Sequence, residues 1–155
     1  MSLPTKDVPE CSRPGPTCIR LLIVGDQPRV RQSLRALLTV GTLSTHNRIE
    51  ICIEIVGEAG DGRQAMTLLD ALVPDVVLLD LPTLNPASQV ALSGSAPDGL
   101  VAIQTIKSRW PSVRIVVLTM YATERSAILL AGADAFLLKG CTTWELLDAL
   151  TTVTR

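Results

Sequence analysis

The chain has 155 residues, a formal net charge of −1, 47% hydrophobic residues and 19% charged residues. The length and apolar fraction indicate one folded domain with a sizeable core. The near-zero net charge argues against a dominant nucleic-acid surface, since binding to a phosphate backbone requires a basic face. No uninterrupted apolar run approaches the ~20 residues of a membrane-spanning helix, so we expect no membrane insertion.

The first 18 residues differ in composition from the rest of the chain. They hold four of the ten prolines and almost no large apolar residues, which predicts a disordered tail. No apolar segment there resembles a signal peptide, so we expect a cytoplasmic protein. The cysteines do not have zinc-site spacing, and in a reducing compartment we expect free thiols; two of them fall in the tail, where oxidation could cross-link them. The four are Cys11, Cys18, Cys52 and Cys141.

Residues 19–155 are expected to form the folded domain, which begins with alternating strands and helices. An apolar run at 19–24 predicts a strand. The helix after it begins at Pro28, because the missing N–H of proline is tolerated in a first helical turn. An apolar face at helical spacing is formed by Val30, Leu34, Leu37 and Leu38. There follow a polar loop over 41–48, a second strand within 49–56 and a second helix over 62–72.

The second half of the chain continues this alternation after one interruption. A third strand is expected over 75–79, with Asp80 directly after it. The segment 82–98 is rich in Pro, Ser and Ala without periodicity, which predicts a long inserted loop. The later elements are a helix over 99–109, a strand at 115–118, a short helix over 123–131 ended by Gly132, a strand at 136–138, and a final helix from Thr142 with a capping box and inward Leu146, Leu150 and Val153.

Four of the apolar runs lead into polar residues. The runs are unalternated and rich in Val, Ile and Leu, which is typical of strands buried on both faces of a parallel sheet. The order of elements therefore predicts an α/β fold: a doubly wound five-stranded parallel sheet with helices on both faces. Ligands of such sheets bind beyond the carboxyl ends of the strands. Asp26, Asp80, Thr119 and Lys139 should meet there, an arrangement that suits Mg²⁺ and a phosphoryl group.

The same stretches resemble a known family. From Ile19 onward the chain is similar to the receiver domain of bacterial two-component response regulators, most closely the NarL/FixJ subfamily. The stretches that carry the resemblance are IRLLIVGDQPRVRQSLRALL, IVGEAGDGRQAM, PDVVLLDL, WPSVRIVVLTM and AGADAFLLKGCTTWELLDAL. The resemblance implies a flavodoxin-like or CheY-like fold with strand order 2-1-3-4-5. It also implies a phosphorelay signalling protein with a role in transcription regulation, which receives its phosphoryl group from a histidine kinase.

The resemblance also implies roles for individual residues at the acidic end of the sheet. Asp80 matches the phosphoacceptor, and Asp26 matches the acid that binds Mg²⁺ directly. Pro82 stands where a backbone carbonyl completes the metal site. Lys139 matches the ammonium that pairs with the phosphoryl oxygens. A carboxylate nucleophile can form an acyl phosphate, and Mg²⁺ offsets the repulsion between the anions that this brings together.

Two further matches concern the response to phosphorylation. Thr119 matches the hydroxyl that turns toward the phosphoryl group, and Phe136 matches the aromatic switch residue. In the family these residues couple phosphorylation to the face made by the fourth helix, fifth strand and fifth helix, through which the chain could form a homodimer. A contact made only in the modified state acts as a switch.

The chain departs from the family pattern at three places. The family carries two acids after the first strand, and here the pair is Gly25-Asp26. The missing charge contributes roughly 1–3 kcal/mol at an effective dielectric near 20, so Mg²⁺ affinity is expected to fall about tenfold to a hundredfold. The loop after Asp80 is roughly eleven residues longer than usual, and the fourth helix is slightly shorter.

Competing interpretations stay open for several of these residues. Gly25 and the remodelled loop also suit a degenerate receiver that acts as a phosphorylation-independent interaction or dimerisation module, which is the alternative to a phosphorylated one. Asp80 and Lys139 could form a purely structural ion pair, and Asp26 could cap a helix. Phe136 could be ordinary core, and Trp144 is either an exposed contact residue or a packed one. Cys141 is expected to be inert.

Enzymatic alternatives fit the sequence less well, and we expect no turnover enzyme. An aspartate-nucleophile phosphatase would carry a second acid two residues after the first, where Pro82 stands. A flavodoxin-like FMN site would require a Ser/Thr-rich loop after the first strand, and the chain has Asp26-Gln27-Pro28 there. We also expect no direct nucleic-acid binding by this chain.

Overall fold

The structure, a computed structural model, describes residues 18–41, 52–81, 98–120, 122 and 125–152. These residues form five strands and five helices in regular alternation. The strands are β1 (Cys18–Val24), β2 (Cys52–Ala59), β3 (Val76–Asp80), β4 (Arg114–Thr119) and β5 (Ala135–Leu138). The helices are α1 (Pro28–Gly41), α2 (Gly62–Leu72), α3 (Asp98–Arg109), α4 (Arg125–Ala131) and α5 (Thr143–Thr151).

All five strands belong to one parallel sheet. Its strand order is β2-β1-β3-β4-β5, with β2 and β5 at the edges. The first strand, β1, is therefore an inner strand of the sheet. Strand β2 pairs with it on one side, and β3, β4 and β5 follow in order on the other side. This order confirms the predicted doubly wound fold, and it places the carboxyl ends of β1, β3, β4 and β5 side by side.

Apolar side chains from both faces of the sheet form two separate cores. On one face Leu21 and Ile23 of β1 pack in a cluster with residues of α1 and α5. On the other face Leu22 and Val24 pack with residues of α2, α3 and α4. Every residue of β3 is buried. This two-sided burial explains why the strands are continuous apolar runs without polar alternation.

Local signals in the sequence fix where several helices begin and end. The side chain of Asp61 accepts a hydrogen bond of 2.8 Å from the Gln64 N–H and caps α2. Thr142 and Glu145 form the predicted capping box of α5. Gly132 ends α4 with φ 119°, and a Cβ there would lie 2.9 Å from Lys107 Cγ. No helix in the described ranges is long and apolar enough to cross a membrane.

Two predicted details differ from the structure. Strand β2 spans 52–59 rather than 49–56, because a register shift passes over Val56 and lets Gly57 to Ala59 continue the ladder beside Leu22 to Val24. Leu37, predicted on the buried face of α1, is 38% exposed, whereas Leu38, predicted on the same face, is buried as expected. Residues 1–17 of the predicted tail over 1–18, residues 82–97 of the predicted loop over 82–98 and Val153 lie outside the described residues, and Asp98 begins α3.

The prediction of free thiols is wrong for two of the four cysteines. Cys18 belongs to β1 rather than to the tail, and it forms a disulfide with Cys52. The two residues begin neighbouring parallel strands and lie directly opposite each other in the ladder, with a Cα–Cα distance of 4.3 Å. Sheet geometry, which spacing along the chain does not reveal, brings them together. Cys141 is free and half-buried, and Cys11 lies outside the described residues.

Candidate functional site

The polar residues predicted from the strand ends meet at one edge of the sheet. Asp80 and Thr119 are the last residues of β3 and β4, Asp26 follows β1 by two residues, and Lys139 follows β5 directly. Because these four strands are parallel neighbours, their carboxyl ends lie together. Asp80 and Thr119, 3% and 1% exposed, are the two buried polar residues in the described part of the chain. Buried polar side chains at a ligand-binding edge indicate a functional site.

An ion pair joins two of these residues across the end of the sheet. Lys139 Nζ lies 2.8 Å from Asp80 Oδ1. The backbone supports this arrangement, since the Lys139 N–H donates to the Thr119 carbonyl at 2.7 Å. The Leu81 N–H donates to the Leu118 carbonyl at 2.9 Å on the other side of Asp80. The residues that carry the carboxylate, the hydroxyl and the ammonium therefore lie on neighbouring backbone segments that are joined by hydrogen bonds.

The environment of Asp80 disfavours its ionised form. Burial raises the pKa of the Asp80 carboxyl above its ordinary value of 3.8, and the negative charge of Asp26 acts in the same direction. The Lys139 ammonium opposes both effects but does not cancel them. An additional cation beside Asp80 would therefore stabilise the ionised form of its carboxyl group.

Gly25 lies against the Asp80 side chain and leaves less room than a Cβ normally has. Its N–H donates to the Ala59 carbonyl at 2.9 Å, so the position is anchored to β2. A Cβ at residue 25 would lie 3.1 Å from Asp80 Cβ and 3.4 Å from Asp80 Oδ2. Asp26 is exposed, and because α1 begins at Pro28 the residue directly before the helix is Gln27. Asp26 is thus not the residue next to the helix, and it lines the same cavity as Asp80.

The donors at this edge fit Mg²⁺. Within the described ranges, no group of three or more His, Cys, Asp or Glu side chains could hold a metal ion. Mg²⁺ does not need such a group, because it keeps several waters and is often bound by one or two carboxylates together with phosphate oxygens. Asp26 and Asp80 line one cavity together with Gly25 and are suitable ligands. Pro82, the predicted carbonyl ligand, lies outside the described residues.

Sequence reasoning missed Arg31, which supports the turn between β1 and α1. Its Nη1 donates to the Gly25 carbonyl, and its Nε lies 3.5 Å from Glu58 Oε1 on β2. The side chain is only 18% exposed. Glu58 also pairs with Arg35 at 3.1 Å. In the sequence Arg31 is one of several arginines on the polar side of α1, and nothing there distinguishes it.

The remaining predicted residues lie around this site. Phe136 is half-buried and packs against the core on the α2, α3 and α4 side, which fits both the switch and the core interpretation. Trp144 is 66% exposed, so the packed alternative is wrong. Burial and the nearby Glu145 charge raise the pKa of the Cys141 thiol. A raised pKa keeps the thiol protonated, which supports the expectation that Cys141 is unreactive.

Comparison with known proteins agrees with the fold and with the resemblance. Residues 21–151 match the response regulator receiver domain family. The chain belongs to this family. The nitrate/nitrite response regulator protein NarP of Escherichia coli K12 is 32% identical over 139 residues, which cover 88% of this chain and 55% of NarP. The chain spans about half the length of the curated relatives it matches.

Two solved receiver structures share the architecture. The isolated receiver domain of RcsB from Salmonella enterica, solved with the phosphomimetic BeF₃⁻, has a TM-score of 0.63 and 26% identity, covering 85% of each chain. The receiver domain of the putative response regulator NarL from Mycobacterium tuberculosis has a TM-score of 0.63 and 26% identity, covering 86% of this chain and 94% of that one. These matches confirm the NarL-type resemblance.

Proposed function

We propose that this receiver domain accepts a phosphoryl group on Asp80 from a histidine kinase. The observation that carries the proposal is the buried Asp80 carboxylate, paired with Lys139 beside the buried Thr119 at the carboxyl edge of the sheet. A structural ion pair alone would not require a second buried polar group and an exposed acid at the same edge. Asp26 supplies that acid.

The residues have distinct parts in the proposed transfer. An Asp80 carboxylate oxygen attacks the phosphorus of a phosphohistidine, and the P–N bond breaks with its electron pair moving to the imidazole nitrogen. Lys139 then pairs with an oxygen of the transferred group, and the Thr119 hydroxyl donates a hydrogen bond to another. Mg²⁺, held by Asp26, Asp80 and the Pro82 carbonyl, would reduce the repulsion between these anions.

The proposed output is a change in the face formed by α4, β5 and α5. We expect Thr119 and Phe136 to respond together when the phosphoryl group arrives, because they lie on the neighbouring strands β4 and β5, which are also joined by the hydrogen bond from the Lys139 N–H to the Thr119 carbonyl. Large apolar side chains are exposed on all three elements. They include Leu130 on α4, Leu138 on β5 and Trp144 on α5, with exposed fractions of 88%, 42% and 66%. We infer that phosphorylation favours homodimerisation through this face.

One observation favours a second candidate function. Gly25 removes a carboxylate that the family uses beside the metal, so a degenerate receiver that never accepts a phosphoryl group is the alternative. Such a module would hold its dimer or partner contacts regardless of Mg²⁺ and phosphodonor. In either case we propose a cytoplasmic signalling protein that is not an enzyme and does not itself bind nucleic acid.

A phosphoryl mimic separates the two candidates. Thermal unfolding is measured with Mg²⁺ alone and with Mg²⁺ plus beryllium fluoride, which forms a phosphoryl-like group on an ionised aspartate. The proposal predicts that beryllium fluoride raises the midpoint by several degrees, since a ligand at 100 times its Kd adds about 2.7 kcal/mol. Asp80→Asn should abolish the shift, and Asp70→Asn, an exposed acid on α2, should retain it. No shift in the native protein would favour the degenerate receiver.

A further inference from the structure

We propose that Cys18 and Cys52 form a reversible redox site whose disulfide controls how firmly β2 holds the acidic end of β1. Cys18 is exposed and Cys52 is half-buried, so a small thiol or disulfide in solution can reach the Cys18 sulfur. The two residues face each other at the amino ends of β1 and β2. The inference relies on the proposed function only for what the acidic site does.

The step is thiol–disulfide exchange with a low-molecular-weight disulfide such as oxidised glutathione. The Cys18 thiolate attacks one sulfur of the glutathione disulfide, and one glutathione thiolate leaves. The Cys52 thiolate then attacks the mixed disulfide at the Cys18 sulfur and releases the second glutathione. Two protein thiols and one oxidised glutathione become one protein disulfide and two reduced glutathiones, and an excess of reduced glutathione reverses the reaction.

Strand β2 is the element that such a cross-link can affect most. It is an edge strand, paired only with β1, and Ala59 is its single fully buried residue. Its ladder with β1 is interrupted where the register shifts past Val56. Pairing on one side, partial burial and a bulge all lower the local free energy of opening. The disulfide fixes the amino end of this strand covalently.

The carboxyl end of β2 supports the acidic site through two contacts. The Ala59 carbonyl accepts a hydrogen bond from the Gly25 N–H, and Glu58 pairs with Arg31, whose guanidinium donates to the Gly25 carbonyl. Both contacts reach the backbone of Gly25, the residue directly before Asp26. Opening of β2 therefore releases the backbone that places Asp26, although the disulfide lies roughly 23 Å away along β1.

The test uses the full chain carrying Cys11→Ser and Cys141→Ser, so that Cys18 and Cys52 are its remaining cysteines. The protein is equilibrated with reduced or oxidised glutathione, and intact mass reports the loss of two hydrogens. Thermal unfolding and amide hydrogen exchange are then compared in the two states, without Mg²⁺ or phosphodonor. Adding Cys52→Ser gives the matched control in which no disulfide can form.

We expect reversible interconversion and a midpoint on the order of 10 °C higher in the oxidised form, because the disulfide closes a loop of 34 residues. Exchange of the Gly25 amide should slow about tenfold on oxidation. The Cys52→Ser control should show neither change. Failure of the thiols to interconvert, or equal Gly25 exchange in both states, would overturn the proposal. Since none of these measurements involves phosphorylation, they stay interpretable if Asp80 proves not to be a phosphoacceptor.

Discussion

At the scale of single residues, Asp80 is held by forces that act in opposite directions. Burial and the Asp26 charge favour its neutral form, and the Lys139 ammonium favours its ionised form. Gly25 adds no charge to this balance, and it lies so close that a Cβ there would be 3.1 Å from Asp80 Cβ and 3.4 Å from Asp80 Oδ2. The site therefore combines a buried carboxylate with a fixed cation, and we expect the lack of a second acid beside Asp26 to reduce its attraction for a divalent metal.

Restoring an acid at position 25 should strengthen metal binding. Gly25→Asp is expected to tighten Mg²⁺ binding about tenfold to a hundredfold, since an added carboxylate near the metal contributes roughly 1–3 kcal/mol. Calorimetric titration with Mg²⁺ measures this directly. Gly25→Asn is the matched control, because it adds a side chain of the same shape without the charge.

The control matters because any Cβ at residue 25 lies only 3.1 Å from Asp80 Cβ. Both substitutions therefore require Asp80 to move by a few tenths of an ångström, and both should lower stability in the absence of metal. Equal Mg²⁺ affinities for the Asp and Asn variants would show that the missing charge is not what limits binding.

Because the pKa of Asp80 is raised, replacing this residue with a neutral one should increase folding stability by an amount that depends on pH. A carboxyl with a higher pKa in the folded than in the unfolded state destabilises the fold once pH rises above the unfolded value, which is 3.8. The penalty grows through the folded pKa and is constant beyond it. Asp80→Asn should therefore be more stable than the native protein at pH 7, with a difference that shrinks toward pH 4.

Urea unfolding across this pH range, in the absence of Mg²⁺, gives the comparison. Asp70→Asn, which removes an exposed carboxylate on α2, corrects for the loss of one negative charge. The stability advantage of Asp80→Asn over the native protein should shrink on acidification. If it grows instead, Lys139 and not burial dominates the environment of Asp80.

At the scale of elements, α2 ends in an unfavourable backbone conformation. Val73 follows the helix with φ 44° and ψ 67°, in the left-handed region, and is 58% exposed. Its N–H still donates to the Leu69 carbonyl at 3.0 Å. A β-branched residue in this region costs about 1–2 kcal/mol, whereas glycine adopts it readily.

Val73→Gly should therefore raise the free energy of unfolding by about 0.5–1 kcal/mol, after the entropy cost of glycine in the unfolded chain. The expected shift of the thermal midpoint is about 2–4 °C per kcal/mol. Val73→Ala keeps the strained conformation and should change the midpoint little. A glycine variant less stable than the alanine variant would show that the left-handed turn is not a source of strain.

The elements differ in how well the sequence predicts them, and the reason is the range of the interactions involved. Helix α2 and the cap of α5 agree with prediction, because Asp61, Thr142 and Glu145 act on backbone within three residues. Strand β2 was misplaced because its extent depends on a register shift against β1. The Cys18–Cys52 disulfide and the Arg31 contacts also depend on the pairing of β1 with β2, which no local pattern encodes.

The candidate site was predictable for a related reason. A parallel sheet brings its strand ends to one edge, so the polar residues within two positions of the ends of apolar runs identified Asp26, Asp80, Thr119 and Lys139. Knowing which strands are neighbours was not required. Other features of the site depend on side-chain packing, which composition and periodicity do not predict. They are the burial of each residue, the closeness of residue 25 to Asp80 and the exposure of Trp144.

At the scale of the whole molecule, the proposed dimer face has a clear test. Leu130→Glu places a charge on an α4 side chain that is 88% exposed, so it should leave the fold intact and weaken association at least tenfold. Analytical ultracentrifugation with Mg²⁺ and beryllium fluoride measures the dimer. Val73→Glu, after α2 outside the face and 58% exposed, is the matched control. Equal weakening by both variants would place the interface elsewhere.

Phosphorylation of Asp80 is the central claim, and intact mass tests it most directly. The native protein and Asp80→Asn are incubated with acetyl phosphate and Mg²⁺, and their masses are compared. The proposed function predicts that the native protein gains one phosphoryl group and that Asp80→Asn gains none. If neither protein gains mass at high Mg²⁺ while Gly25→Asp gains one group, the native chain is a receiver fold retained for binding alone, and the phosphotransfer proposal is contradicted.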